Sequence, residues 1–244
     1  MVRDVAALPV SGQDDAVNKK SHQMLDIPRA GRTQIFAGGK WVHQRELLSL
    51  QSGVADYMKE AGLKDQGVGF IIAPTVGGRY EFANAFLLGY QPFTVEKNWI
   101  PLSYLSSEIS YQLDHEQFHG RQEVWLTSAQ TWKARKGDCE DHAILLADWL
   151  ISMGVDARVV IGRHGDEGHA WVVVFSDGNE YIIEATHKSK LNLWSSYPLA
   201  SMLPDYHPEY TFNDKYLWKN NGSPLTVKYS GDKWQKIALF EVYP

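Results

Sequence analysis

The clearest periodic pattern of apolar residues in the chain begins directly after Cys139. Apolar side chains recur at positions 143, 146, 147, 150 and 151, which is the spacing of one face of an α-helix, and Gly154 then supplies a stop signal. Cys139 therefore lies where a loop enters an amphipathic helix, with Gly137 allowing a close approach and Asp138 available as an N-cap. The positive end of the helix dipole favours a thiolate at this position.

Two strand patterns, over residues 168–175 and 180–186, follow the helix and are separated by a hairpin turn sequence over 176–179. His169 opens the first strand, and Glu184 lies in the apolar run of the second. If the hairpin pairs around this turn, Glu184 lies beside His169 and holds the imidazole in one tautomer, while the other ring nitrogen takes the thiol proton. The pattern thus predicts a cysteine nucleophile, a histidine base and an orienting carboxylate.

The remaining patterns of apolar residues predict helices and strands to which we assign no catalytic or binding residue. They predict a hairpin over 34–42 with a Gly-Gly turn, a helix over 45–61, a strand or apolar loop over 68–74, a short helix over 82–90, a helix over 101–113 and a strand over 159–163. Residues 1–32 lack clear periodicity, and we expect a tail or an extended arm there.

Composition narrows the classes of function. The chain has 244 residues, 44% of them hydrophobic and 22% charged, which is typical of a globular protein with a full core. A net charge of −5, without long runs of Lys or Arg, argues against nucleic acid as a partner. We also expect no membrane insertion and no signal peptide, because no apolar stretch is long enough to cross a bilayer and residues 1–20 are polar. The expected location is cytoplasmic by default, or periplasmic if a signal has been removed. The single cysteine leaves the compartment open.

The cysteine, histidine and acid motifs together resemble the transglutaminase-like superfamily, and within it the bacterial transglutaminase-like cysteine peptidases. The resemblance spans roughly residues 105–190. It rests on Trp125, Trp132, the run from Gly137 to Asp141, the run from Gly168 to Trp171, and Glu184-Ala185-Thr186. The family usually has Asp at the position of Glu184 and Pro at the position of Ala185.

This resemblance implies an α+β, papain-like or transglutaminase-like core, in which the cysteine helix packs on an antiparallel sheet. It implies that Cys139, His169 and Glu184 form a catalytic triad that hydrolyses an amide or peptide bond of a protein or peptide substrate through a thioester. If a lysine amine replaces water, the same chemistry is transamidation. We expect an N-terminal arm and support or lid region over 1–95, a catalytic core over 96–190, and an aromatic-rich extension over 191–244 that completes the same domain.

Two features of the expected site stay open. The backbone N–H of Cys139 is a natural first oxyanion donor, and Trp125, Gln130 and Trp132 are candidates for the second. We expect no cofactor, with one exception that the resemblance implies: in some family members acidic residues beside the cysteine bind calcium, here Asp138 and Glu140. Helix capping and compensation of the helix dipole are the alternative role for these two carboxylates.

Other interpretations compete with the triad. His115-Glu116-Gln117-Phe118-His119 has the H-E-x-x-H spacing that places two zinc ligands on one helix face, which would make the chain a zinc-dependent hydrolase. His142, one helical turn after the cysteine, is a local rival for the base. A non-catalytic binding domain of the same fold, with an inert thiol, is the third possibility.

Overall fold

The computed structural model describes residues 31–37, 40–43, 71–186 and 197–242. The strands in this part of the chain are β1 (Gly31–Ala37), β2 (Lys40–His43), β3 (Ile72–Pro74), β4 (Tyr80–Phe82), β5 (Ser110–Tyr111), β6 (Lys136–Gly137), β7 (Asp156–His164), β8 (Glu167–Ser176), β9 (Asn179–Ile183), β10 (Tyr206–Phe212), β11 (Tyr216–Asn220) and β12 (Trp234–Val242). The α-helices are α1 (Ile100–Glu108), α2 (Asp114–Gln117), α3 (Ser128–Ala134) and α4 (Cys139–Ser152), and two 3₁₀ helices span Ala83–Phe86 and Ala200–Met202.

Eight of these strands form one antiparallel sheet in the order β2-β1-β12-β11-β10-β7-β8-β9. Helix α4 packs against β7 and β8. The fold is therefore α+β with the cysteine helix on an antiparallel sheet, as the sequence predicted. Among the described residues, no helix has the length and apolar content needed to cross a bilayer.

Both faces of β8 are buried. Along β8, Ala170, Val172 and Val174 contact the core cluster around α4, whereas Trp171 and Val173 contact a second cluster that includes Tyr206, Tyr229 and Trp234. This explains why the sequence of β8 is a continuous apolar run rather than an alternating one, since each face of the sheet has its own hydrophobic layer. His169 lies near the start of this buried strand.

Helix α4 is buried on every side, which differs from the amphipathic helix that the sequence predicted. All residues from 140 to 150 are buried, because α1 and α3 cover the surface that an amphipathic helix would leave to solvent. A polar residue on that side, Asp148, accepts hydrogen bonds from the backbone N–H groups of residues 88–90 and from the Ser128 hydroxyl. The predicted stop is confirmed, since the helix ends at Ser152 and Gly154 has a positive φ of 81°.

Several predicted boundaries need correction. The helix predicted over 101–113 ends at Glu108, because residues 110–111 instead pair with 136–137 as parallel strands. The strand predicted to end at 186 ends at Ile183, and the helix predicted over 82–90 is a single 3₁₀ turn. The paired strands β1 and β2 confirm the predicted N-terminal hairpin. The predicted arm before Gly31 and the helix over 45–61 lie outside the described residues.

Candidate active site

The cysteine is presented by a short strand that leads directly into α4. Strand β6 pairs with β5, with Tyr111 opposite Gly137, and α4 begins two residues later at Cys139. A Cβ atom on Gly137 would lie 2.5 Å from the Cβ atom of Asp141, so only glycine leaves room for that carboxylate. Asp138 occupies the predicted N-cap position, but its side chain makes no capping hydrogen bond. The capping role proposed for this carboxylate is therefore wrong.

The β8–β9 hairpin brings His169 and Glu184 together. Its two-residue turn, Asp177-Gly178, has positive φ angles of 51° and 73°, and this turn fixes the register that pairs Val172 with Ile183. Glu184 follows directly after the end of β9, and its Oε2 atom lies 2.8 Å from His169 Nε2. The adjacency that the turn sequence suggested is present in the structure.

The surroundings favour the charged forms of both partners. Burial lowers the pKa of His169, but hydrogen bonds and charges from Cys139 and Glu184 outweigh this effect and raise the pKa to about 10. Burial likewise raises the pKa of Glu184, but its hydrogen bond and charge interaction with His169, together with hydrogen bonds from Thr186, lower it to about 2. The pair is therefore an imidazolium and a carboxylate near neutral pH.

The thiol of Cys139 has two polar neighbours. Its Sγ atom donates a hydrogen bond to Glu140 Oε2 over 3.3 Å, and its interaction with the His169 imidazole raises the pKa of that ring. The cysteine is partly exposed, whereas Glu140 is buried. Because Nε2 of His169 faces Glu184, the remaining nitrogen, Nδ1, is the one available to the thiol. The structure thus assembles the three predicted triad residues at one place.

His142, the local rival for the base, is fully buried in α4. Its Nδ1 atom lies 2.7 Å from the backbone carbonyl oxygen of Asp138, so it helps to hold the first turn of the helix. Its ring lies 6.1 Å from the ring of Tyr111. This environment is that of a structural histidine.

The three side chains considered as second oxyanion donors all have partners outside the Cys139–His169 pair. The indole N–H of Trp125 donates to Glu123, and its ring packs against aromatic neighbours. Gln130 forms a capping box with Thr127 at the start of α3. The ring of Trp132 lies in an aromatic cluster and under the Arg135 guanidinium. A second donor from these side chains stays a prediction.

Carboxylates surround the start of α4, and all of them except Glu123 are buried. Ligand oxygens of Asp114, Asp138 and Asp141 lie within 4.8 Å of one another, and Asp114 forms a second such group with Glu123 and Glu140. Within the described part of the chain, Asp138 Oδ1, Glu140 Oε1 and Asp141 Oδ2 are buried atoms without a hydrogen-bond partner. Burial raises the pKa of each of the five carboxyl groups, that of Asp114 to about 7.

Such a cluster fits a hard divalent cation. Calcium takes six to eight oxygen ligands, which include carboxylates, carbonyl oxygens and waters, and a bound cation would pair with the buried carboxylate oxygens that have no hydrogen-bond partner. The residues that could hold such a cation are Asp138 and Glu140, which the sequence predicted, together with Asp114 and Asp141.

The H-E-x-x-H motif does not form the zinc helix that its spacing suggested. Helix α2 ends at Gln117, and His119 lies beyond it with a positive φ of 55°. His115 and His119 are exposed, whereas the preceding Asp114 is buried and accepts a hydrogen bond from the backbone N–H of Val124. The two imidazoles do not share a helix face, so this motif lacks the geometry of a zinc site.

Three residues at the site were given no role from the sequence. Tyr206 donates to Glu184 Oε2 over 3.0 Å, and Thr186 donates twice to Oε1 of the same carboxylate. Tyr111 is about half exposed beside the cysteine, and burial together with the negative charge of Cys139 raises the pKa of this tyrosine. Thr186 is only two residues from Glu184, so its local turn could have been found, whereas Tyr206 comes from a distant segment and gave no local signal.

Comparison with known proteins finds similarity over the part of the chain that forms this site. A family model described as the CEP76 peptidase-like domain matches residues 123–230. The human protein CC2D2B is 28% identical over 123 residues, which are 47% of this chain and 8% of that protein. The human centrosomal protein of 76 kDa is 44% identical over 55 residues, which are 22% of this chain and 8% of that protein. The matches thus span under a tenth of the length of these relatives.

Among solved structures, calcium-bound Legionella pneumophila LapG superposes with a TM-score of 0.41 at 23% identity, covering 57% of this chain and 77% of LapG. Another LapG structure gives a TM-score of 0.40 at 22% identity and covers 52% of this chain and 70% of that one.

Proposed function

We propose that the chain is a cysteine peptidase or amidase of the transglutaminase-like kind. The observation that carries the proposal is the 2.8 Å contact between His169 Nε2 and Glu184 Oε2, on an imidazole whose pKa the nearby Cys139 also raises. A nucleophile, a base and a group that orients the base form the minimum arrangement for acyl transfer. The match to a peptidase-like family model over this region supports the same chemistry.

The proposed reaction has two stages. In the resting site Nδ1 of His169 has already taken the thiol proton, so Cys139 Sγ attacks the amide carbonyl carbon as a thiolate, and the imidazolium then gives that proton to the leaving amine as the C–N bond breaks. Water, deprotonated by the same imidazole, attacks the resulting thioester, which releases the carboxylic acid and restores the thiolate and the imidazolium. Glu184 stays ionised throughout and stabilises the imidazolium. An amine in place of water would give transamidation, and we propose hydrolysis because the sequence resembles the peptidase branch.

Under this proposal the core is papain-like or transglutaminase-like, and the three predicted regions cooperate in one domain. Strands β10–β12 from the region 191–244 lie in the same sheet as β7–β9, which supports the idea that this extension completes the domain. Strand β1 from the region 1–95 pairs with β12, which favours the support role over the lid role for that segment.

We further propose that Asp114, Asp138, Glu140 and Asp141 would hold a divalent cation such as calcium. When bound, such an ion would supply positive charge beside the thiol, where buried carboxylates otherwise oppose a negative sulfur. By binding the cation, the four residues would hold the start of α4 in place. Asp141 already contributes to this, because it accepts a hydrogen bond from the backbone N–H of Leu126 over 2.8 Å.

A non-catalytic binding domain with this fold is the second candidate. The Cys139–Glu140 hydrogen bond favours it, because a thiol proton that points at a buried carboxyl group is directed away from the base. The names of the relatives, which include a centrosomal protein, also fit a binding role in a larger protein. Under this alternative the thiol is inert.

The rate of alkylation by iodoacetamide near neutral pH separates these candidates. The proposal predicts rapid modification of Cys139 in the wild-type protein and a rate at least about tenfold lower in His169→Ala, because the imidazolium that stabilises the thiolate is gone. His119→Ala is the control, since this histidine is exposed and belongs only to the rival zinc motif. A slow wild-type rate that His169→Ala leaves unchanged would support the inert domain and refute the enzyme.

A further inference from the structure

The carboxylate of Glu184 accepts hydrogen bonds from two sides. Its Oε1 atom accepts from the backbone N–H of Thr186 over 3.0 Å and from the Thr186 hydroxyl over 2.7 Å. Its Oε2 atom meets His169 Nε2 at 2.8 Å and accepts from the Tyr206 hydroxyl over 3.0 Å. Thr186 therefore fixes one oxygen, and Tyr206 shares the other with the histidine.

Tyr206 is held rigidly where it makes this contact. It is the first residue of β10, and its side chain is buried with 8% exposure. Its ring packs edge-on against Trp171, with centroids 5.1 Å apart, and it stacks on the ring of His164 at 4.3 Å. A phenol that is packed on both sides and buried in this way has little freedom to swing away from the carboxylate.

We propose that Tyr206 is a positioning residue for the His169–Glu184 pair. Its hydroxyl fixes the Oε2 atom of Glu184 that faces the imidazole. The hydroxyl and the His169 ring therefore both hydrogen-bond the same negatively charged oxygen. Tyr206 therefore sets both the orientation of Glu184 and the strength with which Glu184 stabilises the imidazolium. The catalytic consequence of this role rests on the proposed function, but the contact and its effect on His169 do not.

The direction of the effect follows from hydrogen bonding. A second donor on Oε2 withdraws negative charge from the oxygen that faces His169, so the imidazolium is stabilised less than it would be by the same carboxylate without Tyr206. Removal of the hydroxyl should therefore raise the pKa of His169. The other titratable groups around this ring are Cys139 on α4 and His164 on β7, whose ring centroid lies 5.8 Å away.

The test is an NMR titration of the His169 ring in the full chain carrying Cys139→Ala, so that the thiol no longer contributes to the titration. Adding Tyr206→Phe should raise the pKa of His169 by about half a pH unit. Tyr210→Phe is the matched control: it removes a hydroxyl from the same strand, and Tyr210 packs against the other core cluster. The proposal is overturned if the pKa of His169 in Tyr206→Phe is equal to or lower than its pKa in Tyr210→Phe.

A second variant at position 206 distinguishes the effect of the hydrogen bond from that of a folding defect. Site-specific 3-fluorotyrosine at position 206 keeps the ring and its hydroxyl but makes the hydroxyl a stronger donor, so the pKa of His169 should fall. A rise or no change would contradict the proposal. With the thiol present, Tyr206→Phe should lower kcat about fivefold and leave KM unchanged, since one hydrogen bond to the orienting group is lost. If the wild-type protein has no turnover, the proposed function fails while the titration still decides the role of Tyr206.

Discussion

Glu184 shows how a single residue can depart from a family pattern and still reach its partner. The resembling family usually has Asp at this position, and the glutamate side chain is longer by one methylene. It projects from the residue directly after β9 and meets His169 Nε2 at 2.8 Å. Its other oxygen is fixed by Thr186, two residues along the chain. The substitution of Glu for Asp is therefore compatible with an orienting role.

The ion pair predicts how Glu184→Gln changes stability with pH. The pKa of His169 is raised above its ordinary value of 6.5, so its contribution is complete below pH 6.5 and is lost as pH rises toward about 10. The pKa of Glu184 is lowered from 4.5, so its contribution is complete above pH 4.5 and is lost as pH falls toward about 2. The loss of unfolding free energy in Glu184→Gln should therefore be largest between pH 4.5 and 6.5.

Urea unfolding of both proteins at pH 5.5 and at pH 9.5 measures this difference. We expect the gap between wild type and variant to shrink at the higher pH. Asp177→Asn, in the exposed β8–β9 turn, serves as a control whose effect should not follow this profile. An equal gap at both pH values would show that the histidine and the glutamate do not stabilise each other's charge.

At the scale of elements, the site depends on contacts between segments that are far apart along the chain. Asp114 on α2 and Asp141 on α4 each accept a hydrogen bond from the segment 124–126, so the approach to the cysteine is held from two sides. The same two carboxylates, with Asp138, form one of the buried acidic groups. A cation in this cluster would join α2 to α4.

This arrangement predicts that calcium stabilises the whole chain. A ligand present at about a hundred times its Kd adds about 2.7 kcal/mol, which for a protein of this size raises Tm by about 5–10 °C. The increase should be lost in Asp114→Asn and in Asp138→Asn, and retained in Asp166→Asn, which alters an exposed acid in the β7–β8 turn. Differential scanning calorimetry with and without calcium measures it. An equal Tm increase in all three variants would exclude this cluster as the site.

At the scale of the whole molecule, the sequence revealed the parts of the fold that local patterns determine. The helix after Cys139, its stop at Gly154 and the β8–β9 hairpin follow from residues close together in the chain, and so does the meeting of His169 with Glu184. The end of α1 at Glu108 was mispredicted because a parallel pairing with residues 136–137 overrides the helical pattern. Tyr206 was missed because its contact depends on β10 lying beside β7, an adjacency that no local pattern encodes.

The central claim is that the cysteine becomes covalently acylated during turnover. The most direct measurement is mass spectrometry of the protein, quenched with acid during incubation with a mixture of peptide amides and calcium. The account predicts an added acyl mass that maps to Cys139, is removed by hydroxylamine, and is absent from Cys139→Ala, which should also show no turnover. Amide hydrolysis that continues in Cys139→Ala, or turnover by the wild-type protein without any adduct on this cysteine, would contradict it.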